Sequence, residues 1–392
     1  MKELNIGIFG FGCVGQGLYF AVENSTGFKT VIKKIVVKNK HKPRPIAAEN
    51  FYFDKEDILL DEDINVVVEL IDDADEAFNI VSEALKNGKH VVTANKKMLA
   101  LHLPELFALK DKYNVSLLYE ASACGSIPII RTLEEYFDNE ELVSISGIFN
   151  GTTNYILTKT INEGITYSEA LNNAQQKGFA ETDPTSDVEG FDALYKTVII
   201  ALHGFGILIQ PEDIIRFGIT TLSQQDINYA KQNGYKIKLV PTINKIETGK
   251  INAFVIPAFV STENHLSKVD NEFNGVLVEG LISGEQFFLG RGAGSHPTGA
   301  AVLSDISALS YGYAYDNKKL KQETQLVFTN DVSIKVFVSS NNKNALNQIA
   351  FTNLLESFEG DSYFYKIGET NVGELKIVLK EESRGKIFIA RI

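Results

Sequence analysis

Asp192 and Lys196 are four residues apart at the start of FDALYKTVIIAL (191–202), a segment that is otherwise almost entirely apolar. On a helix this spacing places both side chains on one face. The apolar residues around them predict a buried helix, and a buried charge is costly unless it is paired or used. Such a lysine can supply a proton and a fixed positive charge to an oxygen that becomes negative, as in the reduction of an aldehyde. The alternative is a surface ion pair worth only about 0.2–0.5 kcal/mol.

A glycine-rich turn, GFGCVG (10–15), matches G-x-G-x-x-G between a strand-like run and a helical stretch. Gly10 would form the tight turn, Gly12 would allow a pyrophosphate to approach, and Gly15 would allow close packing of helix on strand. The phosphates would then lie on the N-terminus of the helix. The pattern predicts a dinucleotide site, and a purely structural turn is the alternative.

Lysines at the ends of two predicted strands could contact such a cofactor. VVTANKK (91–97) places Lys96 at the carboxyl end of a strand, where open α/β sheets bind ligands, although most lysines simply lie on the surface. The second strand ends in VVKNKHKPR (36–44), which has Lys38 and three further basic residues but no carboxylate for a ribose 2′-hydroxyl. This favours NADP, and use of NAD remains open.

Six motifs occur in an order that resembles the homoserine dehydrogenase family over residues 1 to about 325. They are GFGCVG, VVTANKK, YEASACGSIPII (119–130), FNGTTNYIL (149–157), GFAETDPTSDVEGFDALYK (178–196) and GRGAGSHPTG (290–299). That family interconverts L-aspartate 4-semialdehyde and L-homoserine with NAD(P)H, at the branch toward threonine, isoleucine and methionine. The resemblance implies a small-molecule substrate and a nicotinamide cofactor.

The resemblance also implies roles for individual residues. Lys196 would give a proton to the aldehyde oxygen, and Lys96 would lie beside the nicotinamide and the reacting oxygen. The expected substrate contacts are Glu181, Asp187, Asp192, Gly151 and Thr152. The expected cofactor contacts are Gly10, Gly12, Cys13, Val14, Gly15, Lys38, Thr93, Lys96, Gly178 and Gly292. A monovalent, sodium-like cation is implied at Glu120 and the main-chain carbonyls of Ala123, Gly125 and Ile127.

The chain departs from the family pattern at two places. Asp72 and Asp73 stand where members often have two glycines, so this loop is expected to turn outward or to contact the nicotinamide ribose. The tail lacks the Pro-Gly turn of the ACT domains that end many bacterial members, so inhibition by threonine is not expected. The tail would be a degenerate ACT-like fold or a dimer-contact module.

The predicted elements give an α/β protein with three parts. Apolar strands alternate with helices over residues 1–130, which predicts a Rossmann-type doubly wound parallel sheet completed by about 296–325. Residues 131–295 suggest a mixed α+β substrate and dimerisation domain. Residues 326–392 suggest a small α+β domain with strands at 333–338, 374–379 and 386–391 and a helix within 344–357.

Composition narrows the class of protein further. The chain has 392 residues and a net charge of −12, which opposes binding to nucleic acid or to an anionic membrane. Two cysteines without a CxxC pair exclude a disulfide framework and a zinc knuckle. The N-terminus leads directly into a strand without a signal peptide, and no apolar run reaches the length of a membrane span. We expect a cytoplasmic protein that forms at least a homodimer.

Two other functions remain open. A semialdehyde dehydrogenase acting through a thiohemiacetal would need a nucleophilic cysteine and a histidine base, and Cys124 is the candidate outside the glycine turn. None of the six histidines lies in a motif with it. A non-enzymatic NADP-binding protein would be expected to lack the charged pair Asp192 and Lys196.

Overall fold

The computed structural model describes residues 4–27, 30–246, 249–322, 326–378 and 386–392. Two compact units share the chain: Met1–Tyr136 with Arg291–Lys318, and Phe137–Gly290 with Lys319–Ile392. The predicted division into three folding domains stays a prediction, although the structure groups the tail with the second unit. Residues 1–3 of the predicted dinucleotide-binding domain and Leu379 of a predicted strand lie outside the described residues.

The first unit contains a six-stranded parallel sheet in the order β3-β2-β1-β4-β5-β6. Its strands are β1 (Leu4–Phe9), β2 (Thr30–Val36), β3 (Phe51–Tyr52), β4 (Val66–Glu69), β5 (His90–Thr93) and β6 (Leu117–Leu118). The apolar side chains of β4 are fully buried, as expected for a sheet covered on both faces. The strand order reverses between β1 and β4, so a ligand is expected at their carboxyl ends. The Rossmann-type sheet is confirmed.

The second unit is built on an eleven-stranded mixed sheet. Its strands are β7 (Leu142–Ile148), β8 (Ile215–Arg216), β9 (Tyr235–Ile246), β10 (Lys250–Ser261), β11 (Phe273–Gly280), β12 (Gly284–Arg291), β13 (Val327–Phe328), β14 (Ser333–Ser340), β15 (Asn353–Glu359), β16 (Phe364–Asn371) and β17 (Ile387–Arg391). The main order is β12-β11-β7-β9-β10-β17-β14-β16-β15, and β8 and β13 both pair with β10. The tail strands therefore continue the same sheet.

Helices surround both sheets. They are α1 (Cys13–Glu23), α2 (Glu56–Leu59), α3 (Ala74–Lys86), α4 (Lys96–Tyr113), α5 (Ile129–Arg131), α6 (Gly151–Glu163), α7 (Tyr167–Gln176), α8 (Thr185–Val188), α9 (Phe191–Phe205), α10 (Gln224–Gln232), α11 (Ser295–Leu309), α12 (Lys343–Leu346) and α13 (Val372–Val378). A π-helical turn follows α5 at Thr132–Tyr136. None of the helices in the described part of the chain is long and apolar enough to cross a bilayer.

Helices α1 and α11 cross at glycines within the first unit. A Cβ on Gly17 would lie 1.8 Å from the main-chain oxygen of Ser295, and one on Gly299 would lie 2.3 Å from the carbonyl carbon of Gly17. Only glycine allows two backbones to approach this closely. The small residues of the 290–312 segment therefore seat α11 against α1.

Two predictions for the tail are wrong. Residues 374–379, predicted as a strand, lie mostly in α13, which buries Val372 and Leu375 on one helical face. The helix predicted within 344–357 exists only as α12, and the chain then forms β15. All seven residues of β15 are exposed, so the strand carries no alternation of buried and exposed positions that the sequence could show.

Asp73, one of the two acids in place of the usual glycines, caps a helix. Its carboxylate accepts hydrogen bonds from the main-chain nitrogens of Asp75 and Glu76, both at 3.0 Å, at the start of α3. The bond from Glu76 is the main cause that holds the pKa of Asp73 below its usual value. The acid is therefore explained by helix capping.

We expect Asp73→Ala to lower the midpoint of thermal unfolding by a few degrees at pH 7, because the first turn of α3 loses its acceptor. The depressed pKa means that this stabilisation is present above the unfolded pKa and is lost as the pH falls through the folded value. Asp72→Ala is the matched control, since it removes the same charge without removing the cap. Equal midpoints for the two variants would contradict the capping role.

Candidate active site

The glycine turn lies between β1 and α1, at the point where the strand order reverses. Gly10 has φ +93°, and a Cβ there would lie 2.5 Å from the main-chain oxygen of Leu70. A Cβ on Gly15 would lie 2.6 Å from the oxygen of Gly10, whereas one on Gly12 would meet nothing within 4 Å. As predicted, Gly10 forms the tight turn, Gly15 allows the helix to pack closely on the strand, and Gly12 leaves open space for a ligand.

The N-terminus of α1 is available to an anion. Gly12 is its N-cap residue and provides no side-chain hydrogen bond, so Cys13 and Val14 begin a helix whose first N–H groups have no such acceptor. Helix N-termini of this kind bind phosphate through backbone N–H groups and the helix dipole. The chain's residues fit a dinucleotide at this position. Gly292, also a predicted contact, is buried in the same unit.

A buried carboxyl group organises the ends of β4 and β5. Glu69 is fully buried and accepts hydrogen bonds from Thr93 Oγ1 (2.5 Å) and from the main-chain nitrogen of Ile71 (2.6 Å). Burial raises the pKa of Glu69 to about 7. The hydroxyl of Thr93 also accepts from the nitrogen of Asn95, whose side chain caps α4. Lys96 follows as the first residue of α4 and is partly exposed.

Sequence reasoning did not single out Glu69 because it ends an apolar strand. The one available signal was a lone carboxylate at the carboxyl end of NVVVELI (65–71). Thr93, predicted as a cofactor contact, is already engaged with Glu69 and Asn95. This network holds the loop from which Lys96 extends.

The basic loop after β2 is folded by Arg44. The guanidinium of Arg44 donates to the main-chain oxygens of Asn39 (2.6 Å) and Lys42 (3.0 Å) and lies 4.8 Å from the ring centre of Phe51. Lys38 is highly exposed, and its Nζ lies 3.9 Å from a carboxylate oxygen of Glu76. The charge of Lys38 therefore remains accessible to a ligand.

Lys196 and Asp192 form a buried ion pair in the second unit. Both lie on α9, which begins after Gly190 in a left-handed conformation (φ +81°). The ammonium of Lys196 donates to Asp192 Oδ2 and to the main-chain oxygen of Phe149, each at 2.7 Å. The two side chains are only 10% and 7% exposed, so the prediction of a buried pair on one helix face is confirmed.

Asn150 connects this pair to a second carboxylate. Its amide nitrogen donates to Asp187 Oδ1 (2.7 Å) and to Asp192 Oδ2 (2.8 Å). Its side-chain oxygen accepts from the main-chain nitrogen of Thr153 (2.8 Å) and so caps α6. Asn150 was not predicted as a site residue from the sequence, although an asparagine immediately before Gly-Thr-Thr is a recognisable helix start.

The other predicted substrate contacts lie at the start of α6 and in the loop before α8. A Cβ on Gly151 would lie 2.6 Å from the main-chain oxygen of Glu272, and the hydroxyl of Thr152 donates to the oxygen of Phe179 (2.6 Å). Gly178 has φ +73°, and Glu181 is exposed to solvent. The structure brings Asp187, Asp192 and Lys196 together through Asn150, whereas Glu181 points its charge into solvent.

A buried lysine fastens α6 to the segment that enters β11. The Nζ of Lys238 donates to Asn154 Oδ1 (2.9 Å) and Asp270 Oδ1 (3.0 Å). Burial lowers the pKa of Lys238 to about 8. The amide nitrogen of Asn154 lies 2.9 Å from the main-chain oxygen of Asn271 and 3.1 Å from that of Phe273. The beginnings of α6 and β11 are therefore held together by polar contacts.

The predicted cation loop in the first unit surrounds a buried acidic cluster. Glu120 accepts from the main-chain nitrogens of Ile130 (2.8 Å) and Arg131 (2.9 Å), and its own nitrogen donates to Asp305 (2.8 Å). The guanidinium of Arg131 lies 3.2 Å from Asp305. Burial is the main cause that raises the pKa of Glu120 to about 8 and that of Asp305 to about 7.

The loop after Glu120 has an unusual backbone. Cys124 and Gly125 both have positive φ, +24° and +63°, while Ala123 and Ile127 are buried. Among the described residues there is no group of three or more His, Cys, Asp and Glu side chains that could hold a metal ion. Any ion here would therefore depend on main-chain carbonyls together with Glu120.

Comparison with known proteins agrees with this arrangement. Residues 10–120 match the family described as homoserine dehydrogenase, NAD binding domain, and residues 128–307 match the family described as homoserine dehydrogenase. A homoserine dehydrogenase of Lactococcus lactis is 40% identical over 314 residues, which are 77% of this chain and 73% of the relative.

Solved structures show the same likeness. A homoserine dehydrogenase from Thiobacillus denitrificans superimposes with a TM-score of 0.84 at 28% identity, covering 100% of this chain and 98% of the other. A hyperthermophilic archaeal homoserine dehydrogenase in complex with NADPH gives a TM-score of 0.68 at 28% identity, covering 80% of this chain and 99% of the other. These matches agree with the nucleotide-binding fold of the first unit and with the buried ion pair of Lys196 and Asp192 in the second. The chain therefore belongs to the homoserine dehydrogenase family, whose members are oxidoreductases that act on a CH–OH group.

Proposed function

We propose that the protein catalyses the reversible NAD(P)H-dependent reduction of L-aspartate 4-semialdehyde to L-homoserine, with Lys196 as the proton donor. The observation that carries the proposal is the buried ammonium of Lys196, held 2.7 Å from Asp192 on α9 in a member of this family. Because two acceptors hold this ammonium, its position and direction are fixed.

Lys196 would act on the aldehyde oxygen. A nicotinamide held at the glycine turn of the first unit would supply the hydride for the carbonyl carbon. Negative charge then develops on the oxygen, and an ammonium group both stabilises this charge and gives up a proton. Of the three N–H bonds of Lys196, two point to Asp192 and Phe149, and we assign the third to the substrate. In the reverse reaction, Lys196 would take the proton from the hydroxyl.

The neighbouring carboxylates would bind the substrate ammonium. Asp192 is shared between Lys196 and Asn150, so its role is mainly to position the lysine. Asp187 is partly exposed, and Glu181 is exposed, so both can receive a positively charged group from solvent. Gly151 and Thr152 would line the same site at the start of α6.

We expect Lys196→Ala to lower kcat for homoserine oxidation by roughly 10²–10⁴-fold, the usual contribution of a general acid or base, while cofactor affinity is unchanged. The assay follows the absorbance of the reduced cofactor with NADP⁺ and, separately, with NAD⁺. Wild-type protein without turnover on either cofactor would overturn the activity. A variant with normal kcat would overturn only the role of the lysine.

Cys124→Ala is the control for the thiohemiacetal alternative. Cys124 is buried, and the variant should keep most of the activity if Lys196 carries the chemistry. Loss of nearly all activity in a folded Cys124 variant would instead favour a cysteine nucleophile.

We also propose a preference for NADP, supported by the exposed charge of Lys38 in a loop without a competing ribose-binding acid. We expect Lys38→Glu to lower kcat/KM for NADPH by about tenfold, because a contact to the 2′-phosphate becomes repulsive, with little change for NADH. Lys33→Glu, at an exposed position of β2, is the matched charge control. Equal losses with the two cofactors would argue against the preference.

A monovalent cation, sodium-like, is proposed at Glu120 with the carbonyls of Ala123, Gly125 and Ile127. The support is electrostatic. Two buried carboxyl groups, Glu120 and Asp305, face the single guanidinium of Arg131, so a proton or a cation must balance the second negative charge. Such an ion would take the place of that proton, and its role would be structural.

This proposal predicts a salt-specific pH dependence of stability. Since the pKa values of Glu120 and Asp305 are raised on folding to about 8 and about 7, the folded state binds extra protons, and stability falls as the pH rises through this range. Urea unfolding between pH 5 and 8 should show a smaller fall in sodium chloride than in tetramethylammonium chloride at equal ionic strength. Glu120→Gln should abolish the difference. Identical curves for the wild type in both salts would exclude the ion.

We also propose that the protein forms a homodimer, or a higher homo-oligomer, and that it is cytoplasmic. Both rest on the usual properties of the family, and the net charge of −12 is consistent with a small-molecule partner in place of nucleic acid or membrane.

A further inference from the structure

Asn274 contacts the same main-chain oxygen as Lys196. It is the second residue of β11 and is fully buried. Its amide nitrogen donates to the oxygen of Phe149 at 3.1 Å, while Lys196 Nζ donates to that oxygen at 2.7 Å. A carbonyl oxygen has two lone pairs, so it can accept both bonds.

The second acceptor of Lys196 is shared in the same way. Asp192 Oδ2 accepts from Lys196 at 2.7 Å and from the amide nitrogen of Asn150 at 2.8 Å. Each oxygen that holds the ammonium is therefore also bound by an asparagine amide. A second donor withdraws electron density from the shared oxygen, so the oxygen attracts the first donor less strongly. The second bond also fixes the direction in which the oxygen faces.

The side-chain oxygen of Asn274 points to a role beyond folding. It is buried and has no hydrogen-bond partner within the part of the chain that the structure describes. Burying a polar atom without a partner costs stability, and a leucine of similar size would fill the position without this cost. The gain from Asn274 must therefore come from its amide nitrogen, which contacts the Phe149 oxygen.

We propose that Asn274 is a positioning residue for the proton transfer by Lys196: its amide shares the Phe149 carbonyl and thereby directs and loosens the ammonium. This inference rests on the proposed role of Lys196. Asn150 would act similarly on Asp192, but it also caps α6, so its replacement would disturb the helix as well. Asn274 has no such second function and gives the clearer test.

The chain contains a matched control at Asn252. This residue is also fully buried on a strand of the second unit, β10, and its amide donates to the main-chain oxygen of Thr329 at 2.8 Å. Its side-chain oxygen likewise has no partner among the described residues. Asn252 and Asn274 differ in one respect that matters here, since the acceptor of Asn252 is not an acceptor of Lys196.

The experiment compares Asn274→Leu and Asn274→Ala with Asn252→Leu and Asn252→Ala in the homoserine oxidation assay. We expect both Asn274 variants to lose about tenfold or more in kcat, with unchanged cofactor affinity and little change in KM. Without the competing amide, the Phe149 oxygen holds the charged lysine more strongly. The Asn252 variants should change neither kcat nor KM.

Three results would overturn the proposal. They are equal kcat losses at both positions, a loss in the Asn274 variants that lies mainly in KM, and failure of both Asn274 variants to fold while both Asn252 variants fold. The double variant Lys196→Ala/Asn274→Leu separates this proposal from the role of the lysine. Asn274→Leu should have no further effect once Lys196 is absent, because the two act as one unit. If Lys196→Ala alone keeps normal kcat, the proposed function fails first, and the comparison with Asn252 still reports on Asn274.

Discussion

The ammonium of Lys196 is removed from water, and the second unit must replace the hydration that it loses. Desolvation of a charged pair costs several kcal/mol per ion unless good geometry and further hydrogen bonds compensate. The compensation comes from Asp192 on the same helix and from Phe149 and Asn150, which lie between β7 and α6 and are distant in sequence. These elements must therefore pack in one arrangement for the pair to be tolerated. The same requirement that stabilises the packing also fixes the direction of the lysine.

The first unit places its polar groups differently from the second. Its ligand-binding turn relies on the backbone, with open space over Gly12 and no side-chain cap at the start of α1. Its buried carboxyl groups are Glu69 at the end of β4, Glu120 in its loop and Asp305 on α11. Hydrogen bonds from Thr93 and from main-chain nitrogens limit the cost of burying them. A phosphate ligand needs backbone N–H groups that are open to solvent, and the first unit provides them at the start of α1. A proton donor needs a charge held in a buried position, and the second unit provides it at Lys196.

Local patterns account for what the sequence could predict. The glycine turn and the pair Asp192–Lys196 depend on residues within a few positions of each other, so spacing alone revealed them. Asn274 could not be found in this way, because its partner Phe149 lies 125 residues earlier in the chain. The error at 374–379 has a similar cause. Its apolar residues suit a strand, but Val372 and Leu375 bury one face of a helix only when the tail core is present. Asp73 shows the reverse case, where a departure from the family pattern is explained by a local cap.

The order of segments along the chain affects how the protein is made. The first unit is interrupted by the second, and its helix α11 lies against α1 only once the residues near 309 are available. In the second sheet, β17 lies between β10 and β14, although more than a hundred residues separate β10 from β17. Domains generally fold as units during synthesis, and long-range pairing is slow. On the ribosome, therefore, both apolar cores stay incomplete until most of the chain has emerged. The nascent chain would expose apolar surface for longer than two consecutive domains would. We therefore expect chaperones to bind it during synthesis.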